Sequence, residues 1–143
     1  ARADAVKALT DAGATGAGSI DGFIARRRPG RAVWIMLPVP VVEGVVKTVA
    51  AHLQAGDTLI DGGNSPFENA IRRAESLRPA GINFVDVGTS GGVWGLERGY
   101  CLMIGGAREA VQRLEPVFRD LAPGRGDIEP VAGRSQDDPA SNG

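Results

Sequence analysis

With 143 residues, 43% apolar and 23% charged side chains, the chain has the size and composition of one folded domain with a core. Sixteen basic residues against seventeen acidic ones leave a formal net charge of -1, which excludes a global field drawing the chain to nucleic acid or an anionic membrane. One cysteine, Cys101, and one histidine, His52, exclude an internal disulfide and give no zinc-ligand set, and no apolar run approaches the ~20 residues of a membrane span. The expectation is a cytoplasmic, soluble protein with no metal, no nucleic-acid partner and no membrane partner.

Val6, Leu9 and Ala12 mark the apolar side of a first helix that ends at Gly13, and Ile20 to Arg28 can form a second after Ser19. Arg31 to Leu37 (RAVWIML) is a near-continuous apolar run of strand length, as expected for a strand covered on both faces, and Pro38 and Pro40 stop it. Val41, Val42, Val45, Val46, Val49, Ala50 and Leu53 recur at helical spacing despite their β-branching. Gly56-Asp57 then turns the chain into a strand at Thr58 to Asp61. Ser65, Pro66 and Glu68 predict a helix start with Ser65 as its cap, running to about Leu77. Ile82 to Val87 and Tyr100 to Ile104 read as further strands, the second burying Cys101 as a small core residue. Ala107 to Leu121 reads as a helix with Ala110, Val111, Leu114, Phe118 and Leu121 inward. Strands alternating with helices imply an α/β domain with a doubly wound parallel sheet over residues 1–131. Residues 132–143 read as a linker or tail, with at most a brief strand at Ile128 to Val131 just before it.

Two loops follow strands in this reading, at the place where open α/β sheets put their ligands. The first is Asp61-Gly62-Gly63-Asn64-Ser65, and the second lies within Val85 to Gly106, VDVGTSGGVWGLERGYCLMIGG. Gly88, Gly91, Gly92, Gly95 and Gly99 allow close backbone approach and positive φ, while Thr89 and Ser90 offer hydroxyls. Free peptide N–H groups there suit a carboxylate or phosphate. Asn64 carries donor and acceptor on one short side chain, which suits either a bridge between two ligands or a turn before the helix. Arg98 suits an anion or, beside Glu97, a solvated surface. His52, near a helix end, reads as a solvent-facing residue, the run Arg26-Arg27-Arg28 with Arg31 as a solvated face, and Asp86 as a strand-end cap.

These two strings resemble the decarboxylating 6-phosphogluconate dehydrogenases, in particular the short bacterial form. The resemblance implies that Asn64, Ser90, Gly91 and Gly92 bind the substrate 6-phosphogluconate, and that Leu37, Pro38, Val39 and Asn64 contact an NAD or NADP cofactor. The classical long-form enzymes have a lysine where Pro38 stands, so any binding by this loop rests on carbonyls and shape. The VWGLERG segment separates the chain from hydroxyisobutyrate-type enzymes, although another β-hydroxyacid substrate and a non-catalytic binding module are the competing readings. No G-x-G-x-x-G occurs in the chain, and Gly13 to Gly18 reads as a turn. By the family pattern that fingerprint lies before Ala1, and an all-helical domain with the catalytic lysine follows Gly143. The chain is thus expected to be a Rossmann-like domain truncated at its N-terminus and lacking that helical domain, with no catalytic residue of its own. The complete protein is expected to be a homodimer or higher homo-oligomer.

Overall fold

The structure, a computed structural model, describes residues 3–124. Four strands form one sheet in the order β1 (Ala32–Ile35), β2 (Thr58–Asp61), β3 (Asn83–Ser90), β4 (Cys101–Gly106). Helices α1 (Ala3–Asp11) and α2 (Ile20–Ala25) precede it. Helix α3 (Val39–Ala50) links β1 to β2, α4 (Phe67–Leu77) links β2 to β3, a single turn α5 (Gly95–Arg98) lies before β4, and α6 (Arg108–Leu121) follows it. The expected strand at Ile128 to Val131 lies outside the described residues.

Alternation along the central strands sends successive side chains to opposite faces, and helices cover both. Leu59 and Phe84 pack with Val33 and Ile35 against Val42, Val46 and Val49 of α3 and Leu77 of α4. Their neighbours Ile60 and Val85, with Val87, pack on the other face against Ala110, Leu114 and Phe118 of α6. Val42, Leu59, Val85 and Val87 expose no surface at all, and burial of such a side chain contributes about 1.5–3 kcal/mol. The doubly wound α/β architecture is therefore as the sequence implies.

One pairing departs from the expected parallel sheet. β1–β2 and β2–β3 are parallel, whereas β3 and β4 pair antiparallel from Val85↔Gly106 to Ser90↔Cys101. The cause is connection length: a parallel return needs a crossover of roughly a dozen residues or more, and residues 91–100 provide only ten. The chain doubles back instead. β3 also runs on to Ser90, three residues beyond the expected end at Val87, because β4 supplies partners for that extension.

Four smaller expectations are corrected. Helix α1 buries no residue, and Leu9 is 63% exposed, so its apolar side meets no core among the described residues. Cys101 is exposed, since only Leu102 of β4 is even partly buried. Ser65 is not the cap of α4: Pro66 occupies that position without a side-chain cap, and the Ser65 hydroxyl serves Asp61 instead. Arg31 leaves the basic run to meet Asp57, and Asp57 also accepts from the backbone N–H groups of Gly30, Arg31 and Gln54. Burial pushes the Asp57 carboxyl up, but these donors together outweigh it and hold it below its usual range.

Candidate functional site

The carboxyl ends of β1, β2 and β3 converge on one edge of the sheet, and each of the expected binding segments leaves from it. β2 ends in Thr-Leu-Ile-Asp, four residues without exposure beyond a few per cent, so Asp61 is a carboxylate inside the core layer. Such a group requires partners. Its Oδ2 accepts from Arg73 Nη1 at 2.7 Å and from the Ser65 hydroxyl at 2.8 Å, and its Oδ1 accepts from the Gly63 N–H at 2.9 Å. Arg73, itself only 3% exposed on α4, also donates through Nη1 to Ser65 Oγ at 3.2 Å and through Nε to Glu43 Oε2 of α3 at 3.2 Å. The sequence reading missed Arg73 and Glu43. A signal existed in the carboxylate at the end of an apolar strand, which needs a cation, but nothing local says which arginine answers.

Glycines set how closely this loop lies on the strand beside it. The Gly62 N–H donates to Ile35 O at 2.8 Å, and a Cβ on Gly62 would run into the Trp34 indole and the Met36 sulfur. A Cβ on Gly63 would stand 2.9 Å from the Leu37 carbonyl oxygen. The structure therefore brings the loop expected to hold substrate against the loop expected to hold cofactor. Asn64 stands exposed at the tip of the first, and Leu37, Pro38 and Val39 are exposed on the second. Leu37 and Val39, with Met36, form an exposed apolar edge, where Pro38 has no backbone N–H to donate.

The second loop is built by backbone geometry. Ser90 ends β3 with its side chain exposed, Gly91 turns at φ 147° and Gly92 at φ 51°. A Cβ on Gly91 would meet the Gly99 carbonyl oxygen and the Tyr100 ring, both at 3.1 Å, and one on Gly95 would clash with the edge of the Tyr100 ring. Tyr100 is thus the floor of this loop, a role the sequence did not reveal. Val93, Trp94 and Leu96 project outward, and the Arg98 guanidinium lies 5.2 Å over the Trp94 ring, a cation–π contact in place of pairing with Glu97.

Asp86 is no strand-end cap. It lies mid-strand on β3 in register with Asp61, and burial first, then the Asp61 charge, push its carboxyl above the usual range, against the pull of Arg73. His52 lies just past α3, where Nε2 stands 3.0 Å from Asp21 Oδ1, away from both loops.

Residues 1–130 match the family model described as the NAD-binding domain of 6-phosphogluconate dehydrogenase. The chain belongs to that family. It is 41% identical over 123 residues to an NAD(+)-dependent, decarboxylating 6-phosphogluconate dehydrogenase of Haloferax volcanii, covering 85% of this chain and 40% of that protein. A decarboxylating 6-phosphogluconate dehydrogenase of Saccharomyces cerevisiae is 37% identical over 116 residues, 80% of this chain and 24% of its own length. The domain thus spans well under half of these relatives. Among solved structures, the Plasmodium falciparum 6-phosphogluconate dehydrogenase, studied in apo form and with NADP+ or 6-phosphogluconate, superposes with a TM-score of 0.76 at 23% identity, over 87% of this chain and 27% of that one. This likeness shows the Rossmann-type fold of the dehydrogenase domain.

Proposed function

We propose that the complete protein carrying this domain oxidises 6-phosphogluconate at C3 and releases CO₂, leaving ribulose 5-phosphate. The observation that carries this reading is the close approach of the 61–65 loop to Leu37 at the carboxyl edge of the sheet, so close that a Cβ on Gly63 would stand 2.9 Å from the Leu37 carbonyl oxygen. It would place Asn64, with its paired donor and acceptor, beside whatever occupies the Leu37–Val39 edge. Ser90, Gly91 and Gly92 would hold the sugar acid through one hydroxyl and peptide N–H groups, with φ values that only glycine adopts without strain. When bound, the nicotinamide supplies the hydride acceptor, and the residues of this chain fix the C3 hydrogen in near-attack geometry. The C3 hydroxyl proton goes to a base that none of the residues named above supplies; the resulting β-keto acid loses its carboxyl group as CO₂, the electron pair of the broken C1–C2 bond passes to the C3 carbonyl, and the enediol so formed takes a proton at C2 to become ribulose 5-phosphate.

The Haloferax relative, named as NAD(+)-dependent, supports NAD, and the Plasmodium complex with NADP+ supports NADP. NAD is our choice, to be checked by kcat/KM with each cofactor. The function is tested by incubating the complete protein with 6-phosphogluconate and each cofactor while following reduced nicotinamide and CO₂. Ser90→Ala is expected to lower kcat/KM at least roughly tenfold, about 1.4 kcal/mol of transition-state binding. Turnover of a different β-hydroxyacid in preference, or unaltered kinetics in the variant, overturns the assignment. The 143-residue chain alone is expected to give no turnover, for want of a base and of a pyrophosphate-binding glycine turn.

A further inference from the structure

Arg73 joins three elements that the proposed reaction needs in fixed relation. Its one guanidinium reaches Asp61 at the end of β2, Ser65 in the loop and Glu43 on α3. Glu43 lies four residues, about one helical turn, beyond Val39, where the expected cofactor loop enters that helix. Asp61 in turn holds the Gly63 N–H and Ser65, the two neighbours of Asn64. A buried ion pair is weak as a source of stability, because desolvation offsets most of the attraction, and apolar replacements often do as well. Orientation is what a planar fork adds, since its donors meet several oxygens in one rigid geometry that a lysine ammonium cannot reproduce.

We propose that Arg73 is a positioning residue that clamps the Asp61–Ser65 loop to helix α3, thereby fixing Asn64 relative to the Leu37–Val39 loop. It touches neither substrate nor cofactor, and it acts through Asp61, Ser65 and Glu43. The inference rests on the proposed reaction for its consequence, but the clamp itself is a property of this chain.

Two measurements test it on three variants, Arg73→Lys, Arg73→Met and Glu43→Gln. In amide hydrogen exchange, the Gly63 N–H is compared with the Thr58 and Asn83 N–H groups, which are bonded at the far end of β2 to Arg31 O at 2.8 Å and Asp57 O at 2.9 Å. Arg73→Lys is expected to reduce Gly63 protection roughly tenfold more than that of Thr58 and Asn83, and Glu43→Gln, which removes the charge of the α3 arm but keeps an acceptor oxygen, in the same direction by less. In the complete protein kcat should fall in the order wild type, Lys, Met, with KM moved less, because a misplaced Asn64 loses alignment rather than binding. Should the methionine variant fail to fold, the lysine and glutamine variants carry both measurements. Gly63 protection that falls only in step with Thr58 and Asn83 overturns the clamp, as does a lysine variant with wild-type protection and kcat. A wild-type protein inactive on 6-phosphogluconate overturns the proposed reaction instead, and the Gly63 exchange then decides the clamp by itself.

Discussion

The two loops at the carboxyl edge of the sheet are held in opposite ways. The Asp61–Ser65 loop is tied by side chains: a buried carboxylate, a buried guanidinium and a hydroxyl, with two glycines that let it press on β1 and Leu37. The Ser90–Tyr100 loop is tied by its backbone: glycines at φ 147°, 51° and 81° shape it, and Tyr100 fills the space under Gly91 and Gly95. A polar clamp fails when a charge loses its partner, whereas a glycine turn fails when a side chain is added. The difference teaches where each loop is vulnerable.

The largest effect should come from breaking the polar clamp. Asp61→Ala leaves the Arg73 guanidinium, 3% exposed, without its closest partner. A loss of about 3–5 kcal/mol is expected on urea denaturation. An alteration below about 1 kcal/mol would mean that the clamp is solvated and the contrast between the loops is void. Gly95→Ala strikes the other loop by driving a methyl group against the edge of the Tyr100 ring. Overpacking of this kind costs about 1–3 kcal/mol, and the double variant Gly95→Ala, Tyr100→Ala should recover part of that loss. Additive losses in the thermal melts would remove Tyr100 from its role.

Two carboxylates sharpen the comparison through pH. The Asp57 staple titrates below its ordinary value of 3.8. Its stabilisation is therefore complete above that value and drains as pH falls through the lower folded one. Asp57→Asn should flatten the acid limb of Tm against pH. Asp86 has the opposite sign. Its folded value is raised above 3.8, so the folded state binds the proton more readily, and stability falls as pH rises between the two values. Asp86→Asn should raise Tm slightly at pH 7 and leave it unaltered near pH 3, where both forms are neutral. A lower Tm at pH 7 would show that the attraction between the Asp86 and Arg73 charges exceeds the cost of burying Asp86.

Much of the architecture was legible because apolar runs of strand length and valines at helical spacing have few ways to be buried. TLID is the expected strand from Thr58 to Asp61, and RAVWIML and the Val41–Leu53 pattern appear as the expected strand and helix with ends shifted by a few residues. The direction of β4 was less legible: the expected strand ends at Val87 and Tyr100 leave twelve residues between them, and only the extension of β3 to Ser90 shortens the connection to ten. Cys101 shows the limit of hydropathy: CLMIGG reads as core, yet β4 packs α6 mainly through Leu102 and leaves its other side chains exposed.

The sequence by itself determined the fold class and the two loops, because glycine spacing and strand-end position are local properties of the chain. Only the tertiary structure decided which charges those loops depend on. Arg72 and Arg73 are adjacent and chemically identical, but the helix turns about 100° per residue. Arg73 thus faces Asp61 in the core, while Arg72 points outward, 63% exposed, near Glu43 and Asn69. Likewise Ser65 looked like a helix cap by sequence distance, and became an Asp61 ligand because Pro66 already occupied the cap and the strand had carried a carboxylate within 2.8 Å. A buried charge selects its partner by position in space, and that selection is made only when helix and sheet have packed.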